Sequence, residues 1–189
     1  TAQGDIDAYL KVHNTARSAH KADDLQWNNT LADAASSWVG NCNFEHSGGS
    51  LGPYGENLAE GTNLDASAAV QMWVDEGNSF NANSPEDYAS LHFTQVVWAA
   101  TTQVGCASKS CGDVRPSKMV MHVCEYFPQG NVLGTFGCVL PHSSMEHKTT
   151  NVKFPATTSS RFHKHNDGVI LSLYIINIPV LTHPSVTEI

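Results

Sequence analysis

The stretch SLHFTQVVWAATTQVGC, Ser90 to Cys106, is where the fold of this chain is decided. Its first half reads as a short helix from His92, and its second half gives way to a strand near Gln103 to Ala107. His92 opens an apolar, aromatic run of Phe93, Val96, Val97 and Trp98, where a histidine costs free energy unless something satisfies it. Two readings stand: a core histidine held by a hydrogen bond, or a ligand or catalytic base whose partners lie elsewhere in the chain.

Working outward, Lys118 to Tyr126 (KMVMHVCEY) has the length and β-branched content of a buried strand. Upstream, Asp5 or Asp7 is placed to cap a first helix running to about His20, with Ile6, Tyr9, Leu10 and His13 on one side. Thr30 is placed to cap a second, in which Leu31, Ala34, Ala35, Trp38 and Val39 recur at helical spacing. Asp65 caps a third, striped by Ala69, Val70, Trp73 and Val74. His46 to Gly55 is glycine-rich and Asn78 to Tyr88 carries Asn, Ser and Pro, so both read as loops. Helices and strands interleave with few residues left for a large sheet. The economical packing is an α+β, three-layer α–β–α sandwich.

The chain divides near Gly137: residues 1–137 hold the domain, and residues 138–189 form a C-terminal extension whose structure the sequence does not specify. Cys138 to Asp167 is rich in Ser, Thr, His and Lys. The run VILSLYIINIPVL that follows, Val169 to Leu181, is too short to span a membrane, which takes roughly 18 such residues. It reads as a strand covering a domain face, or as a segment prone to aggregate.

At 189 residues the chain is long enough to bury a real core, and its formal net charge is -8. No basic stretch offers a footprint for nucleic acid, and an acidic surface disfavours anionic membranes. Five cysteines, at 42, 106, 111, 124 and 138, include no CxxC pair, and scattered cysteines in a domain of this size fit disulfides made in a secretory compartment. Asn28-Asn29-Thr30 is an N-glycosylation sequon, and the absence of a charged-then-apolar leader before Thr1 fits a signal peptide already removed. A secreted, extracellular protein is expected.

Four ionisable residues near loop or helix ends are the candidates for chemistry: His46, Glu56, Glu76 and His92. Two imidazoles with one or two carboxylates suit zinc or a similar divalent ion, although their spacing is not local. A serine hydrolase is disfavoured, because no GxSxG elbow exists and Ser47 directly follows His46. A metal-activated water at the same four residues, with Glu56 or Glu76 as the catalytic group, remains the enzyme alternative.

Eight stretches in order then resemble the CAP superfamily of cysteine-rich secretory, antigen 5 and pathogenesis-related group-one proteins, most like its fungal or plant pathogenesis-related members. They are HNTAR (13–17), LQWNNTLADAASSW (25–38), CNFEHS (42–47), PYGENLA (53–59), WVDE (73–76), HFTQVVW (92–98), VGC (104–106) and VCEYFPQGN (123–131). The resemblance implies that His46 and His92 line one cavity and hold a divalent cation, zinc or magnesium, while Glu56 and Glu76 orient them or a bound water. It implies disulfides Cys42–Cys111 and Cys106–Cys124, with Cys138 left unpaired. It implies a secreted binding protein for sterols, fatty acids or other small hydrophobic ligands, acting in host–microbe interaction or defence. A receptor-binding protein is the further alternative, its partner a host or cell-surface receptor.

Three departures from the family pattern stand out. Leu91 replaces a glycine before the histidine, and Glu125 replaces the usual asparagine, adding a charge near the strand end. Sterol-binding members use an apolar loop close to PYGENLA, which places Pro53, Tyr54, Leu58 and Glu60 in the ligand loop here. Burying Glu60 against a sterol would cost several kcal/mol unless paired, so weaker sterol binding is expected.

Overall fold

The computed structural model describes residues 1–112, 118–136 and the backbone of residues 170–172. Cys138 and the rest of the C-terminal extension lie outside the described residues. Among the described residues there are four α-helices, α1 (Gln3–Ala19), α2 (Asn29–Val39), α3 (Ala66–Asp75) and α4 (Leu91–Val96), and five strands. The strands are β1 (Gln26–Trp27), β2 (Gly55–Thr62), β3 (Gln103–Ser110), β4 (Met119–Phe127) and β5 (Ile170–Ser172).

Helix starts follow local hydrogen-bonding chemistry, with two corrections to the expected caps. Asp65 caps α3 as expected, accepting from Ala68 N at 2.8 Å. Asn28, not Thr30, caps α2: its Oδ1 accepts from Thr30 N at 2.7 Å and Leu31 N at 3.4 Å. An N-cap oxygen reaches amides two and three residues on, so Thr30 sits inside the helix it was expected to cap. Neither Asp5 nor Asp7 caps α1. The helix starts behind Ala2, which offers no side-chain bond, and Asp5 lies in the first turn, where its charge favours the helix dipole.

The sheet order is β1-β3-β4-β2-β5, antiparallel throughout except for β1 against β3. Alternation along the strands assigns its two faces. Leu58, Ala107, Met121 and Val123 pack with Ala35 and Val39 of α2. Ala59, Val104, Cys106, Cys124 and Tyr126 pack on the other side with Tyr9 of α1, Val70 and Trp73 of α3, and Phe93 and Val96 of α4. This is the expected α–β–α sandwich. Gly105 lets α2 approach closely, because a Cβ there would meet the Asn28 carbonyl oxygen at 2.5 Å, a backbone atom with nowhere to go.

Both expected disulfides are present, one in each layer. Cys42–Cys111 ties the end of α2 to the end of β3, with Cα atoms 5.7 Å apart. Cys106–Cys124 joins directly opposed residues of β3 and β4. In the other layer Arg17 is fully buried among backbone acceptors. Its guanidinium donates to the carbonyls of Asp23, Val96, Trp98 and Thr101 at 2.6 to 3.0 Å, which fixes the turn from α4 into β3. Burial lowers its pKa to about 10.

The segment expected as a ligand loop is mostly strand. Leu58 and Glu60 lie inside β2 at 0% and 1% exposure, while only Pro53 and Tyr54 belong to the loop leading into it. Glu and Asn at positions 56, 57 and 60 disguise a buried strand in the sequence, because their burial depends on partners from distant elements.

Candidate functional site

The site candidates form two histidine–carboxylate pairs. His92, the second residue of α4, places Nδ1 2.7 Å from Glu76 Oε1. Glu76, just past the end of α3, also accepts the His92 and Phe93 backbone amides through Oε2, at 3.1 and 3.3 Å. One carboxylate therefore orients the ring and satisfies the first amides of α4, which otherwise lack intrahelical partners. The Trp73 ring stacks on the imidazole with centroids 6.3 Å apart. His46, in the loop after α2, places Nδ1 2.6 Å from Glu56 Oε1, which also accepts Ser47 N at 2.9 Å.

All four side chains are largely buried, between 2% and 11% exposed. In each neutral ring the carboxylate takes the Nδ1 proton, so Nε2 is the nitrogen that carries the lone pair. The pairs belong to the same end of β2. Gly55 abuts the Gln95 amide of α4, and Asn57 Nδ2 donates to the His92 carbonyl at 3.1 Å. Glu56 lies between those two residues and points to the opposite face.

Glu125 alters the expected electrostatics. It is 1% exposed and stands directly opposite Glu56 in the β2–β4 register. The two carboxyls face each other across the strands, and a proton on one of them would let it donate to the other. Burial, then the Glu56 charge, raises Glu125 to about 10, so Glu125 holds that proton at neutral pH. Burial would raise Glu56 too, but His46, Glu125 and the Ser47 amide together bring it below its ordinary value. Without that proton, Glu56 Oε2 and Glu125 Oε1 are buried with no donor among the described residues.

Residues not singled out as functional candidates extend the His92 side inward. Tyr126 OH meets both Asn57 Nδ2, at 3.2 Å, and His13 Nε2, at 2.8 Å. His13 Nδ1 donates to the Tyr9 carbonyl at 2.8 Å, so Tyr126 is the donor at Nε2. Tyr9 OH likewise donates to His122 Nδ1 at 2.7 Å, because His122 Nε2 donates to the Leu64 carbonyl at 2.9 Å. Burial lowers His13 to about 4 and also lowers His122, so both rings are neutral at pH 7. The available signal was a histidine on the buried stripe of α1 and another within an apolar strand.

Phe127, at the end of β4 beside the Gly55 end of β2, and the segment that follows it expose apolar side chains. Tyr54 meets Phe127 edge-on, with centroids 6.3 Å apart, and Phe127, Val132 and Leu133 are each about two-fifths exposed. Among the described residues no three His, Cys, Asp or Glu side chains form a group that could hold a metal ion. The described residues therefore hold two histidine–carboxylate pairs and no closed structural zinc site, which takes four protein ligands. Among the described residues no helix is long and apolar enough to cross a membrane.

Comparison with known proteins places this geometry. Residues 10–126 match the model of the CAP family, described as the cysteine-rich secretory protein family. The chain is 39% identical to Pathogenesis-related protein 1B of Nicotiana tabacum over 142 residues, 70% of this chain and 80% of that one. It is 42% identical to Repressed by EFG1 protein 1 of Candida albicans over 132 residues, 66% of this chain and 46% of that one, so it spans under half of that relative. The crystal structure of NaASP2 with Zn2+ shares the fold at a TM-score of 0.60 and 23% identity, over 69% of this chain and 83% of that one.

Proposed function

The chain belongs to the cysteine-rich secretory protein (CAP) family, and from that premise we propose a secreted binding protein of the pathogenesis-related class, acting in host–microbe interaction or defence. It carries a divalent cation on the Nε2 atoms of His46 and His92. It takes a small apolar molecule, a sterol or fatty acid, with Tyr54 and Phe127, which meet edge-on, as its apolar contacts. One observation carries the reading: each histidine has its Nδ1 locked by a buried carboxylate, at 2.6 and 2.7 Å. That arrangement fixes ring orientation and raises ligand basicity. The Zn2+ that accompanies the NaASP2 crystal structure is in keeping with it. Two nitrogens leave coordination positions for water, and when bound the ion would supply Lewis-acid polarisation there. Glu56 and Glu76 keep both Nδ1 protons in place.

Calorimetric titration of the full chain with Zn2+ tests the cation. Saturable binding of one ion is expected, weakened at least about tenfold in His46→Ala and in His92→Ala and about tenfold in Glu76→Gln. Equal affinity in the parent and the His46→Ala/His92→Ala double variant overturns it. Titration of the same proteins with a fluorescent fatty acid reads the apolar ligand, whose binding is expected to survive both histidine substitutions. No saturable fatty-acid or sterol binding by the parent overturns that half.

A further inference from the structure

α4 is six residues long, and its N-cap, Ser90, offers no side-chain bond. A helix that short does not persist on its own backbone bonds, so whatever places His92, its second residue, comes from outside it. The two peptide units flanking the His92 Cα present four polar atoms, and a side chain from another element takes each one. In the Leu91–His92 unit, the carbonyl oxygen accepts from Asn131 Nδ2 at 2.7 Å and the amide donates to Glu76 Oε2 at 3.1 Å. In the His92–Phe93 unit, the carbonyl oxygen accepts from Asn57 Nδ2 at 3.1 Å and the amide donates to Glu76 Oε2 at 3.3 Å. With both peptide planes held, the His92 Cα–Cβ direction is fixed, and the Nδ1 bond to Glu76 sets the rotation of the ring.

Asn131, which follows β4, is the member of this set that sequence reading left without a role. Its φ is +54°, a left-handed conformation that asparagine adopts more readily than most residues with a side chain. Its Oδ1 accepts from Thr94 Oγ1 at 2.6 Å, which turns Nδ2 toward the Leu91 carbonyl. The segment leading to it is anchored around α4 as well. Gly130 N donates to Gln95 Oε1 at 2.8 Å, and the Pro128 carbonyl accepts from Thr101 Oγ1 at 2.8 Å. Glycine at position 131 would supply the backbone conformation but neither side-chain bond. The Asn131 side chain therefore serves α4, not the turn.

We propose that Asn131 is a positioning residue for His92, holding the Leu91–His92 peptide unit so that the Nε2 lone pair keeps one direction. Its effect on a bound cation rests on the proposed site at His46 and His92; its effect on the ring does not. His46 lies in a separate loop against a different carboxylate, Glu56, and so serves as an internal reference.

Nitrogen-15 NMR of the zinc-free full chain reads solvent exchange of the two Nδ1 protons, with zinc titration of the same proteins alongside. Asn131→Gly keeps the backbone and removes both bonds; Asn131→Asp keeps the acceptor for Thr94 and loses the donor to Leu91. In each, exchange at His92 Nδ1 is expected to quicken at least about tenfold while that at His46 stays unchanged. Zinc affinity is expected to fall about tenfold. Unchanged His92 exchange in either variant overturns the proposal, whatever the zinc affinity. Equal quickening at both histidines means that Asn131 supports the fold at large, and overturns it too. Should the parent bind no zinc, the cation reading fails, and the exchange comparison still decides what Asn131 does.

Discussion

On the face covered by α1, α3 and α4, each buried ring nitrogen of His13 and His122 has a hydrogen-bonding partner, and both rings are neutral. On the face covered by α2, β2 and β4 set Glu56 and Glu125 side by side, and only a shared proton reconciles them. The first face is satisfied by geometry at any pH where its histidines stay neutral. The second is satisfied by protonation state. The same sheet thus tolerates polar residues in two ways, and the ways differ in what breaks them.

The largest contrast lies in the covalent ties, one per face. Cys42–Cys111 closes a separation of 69 residues and Cys106–Cys124 one of 18. Restriction of the unfolded chain makes the first worth about 4 kcal/mol and the second about 3 kcal/mol. Urea unfolding of Cys42→Ser/Cys111→Ser and of Cys106→Ser/Cys124→Ser is expected to show that order. The reverse order would mean that the β3–β4 bridge supports the apolar packing around it as well as limiting the unfolded chain.

Next in size is Tyr126→Phe. Its hydroxyl serves His13 and Asn57 at once, in a place 0% exposed, so its removal strands two buried polar groups. A loss of about 2–3 kcal/mol is expected from urea midpoints. A loss below about 0.5 kcal/mol would show that water or side-chain shifts repair this face, and the comparison would lose its first half.

Much of this was legible in the chain. The helices and long strands follow from periodicity, since their apolar stripes face one core each. The pairing of distant His and Glu residues was carried by the resemblance, because four residues separated by up to 46 positions have no local signature. Two features escaped for physical reasons. Leu58 and Glu60 of β2 read as part of a ligand loop because the polar residues around them are buried by elements distant in sequence. The protonation of Glu125 was not legible because a carboxyl's charge depends on its cross-strand neighbour, which the strand register reveals.

The smallest and most specific test is Glu125→Gln. Glu125 has its folded pKa raised from 4.5 to about 10, so between those values the folded chain holds a proton that the unfolded chain releases. Its contribution is therefore fully present below about pH 4.5 and is lost as pH rises toward 10. His13 runs the other way: lowered from 6.5 to about 4, its contribution is full above 6.5 and is lost as pH falls through 4. Gln keeps an N–H donor toward Glu56 and removes the titration. Near pH 5 the variant is expected to match the parent within about 0.5 kcal/mol, and near pH 9 to exceed it by about 1 kcal/mol or more. The acid limb set by His13 should be unchanged. A gain of equal size at both pH values would mean that Glu125 is simply a poor fit to the α2 layer; a gain confined to the alkaline limb means that the face is held together by one proton.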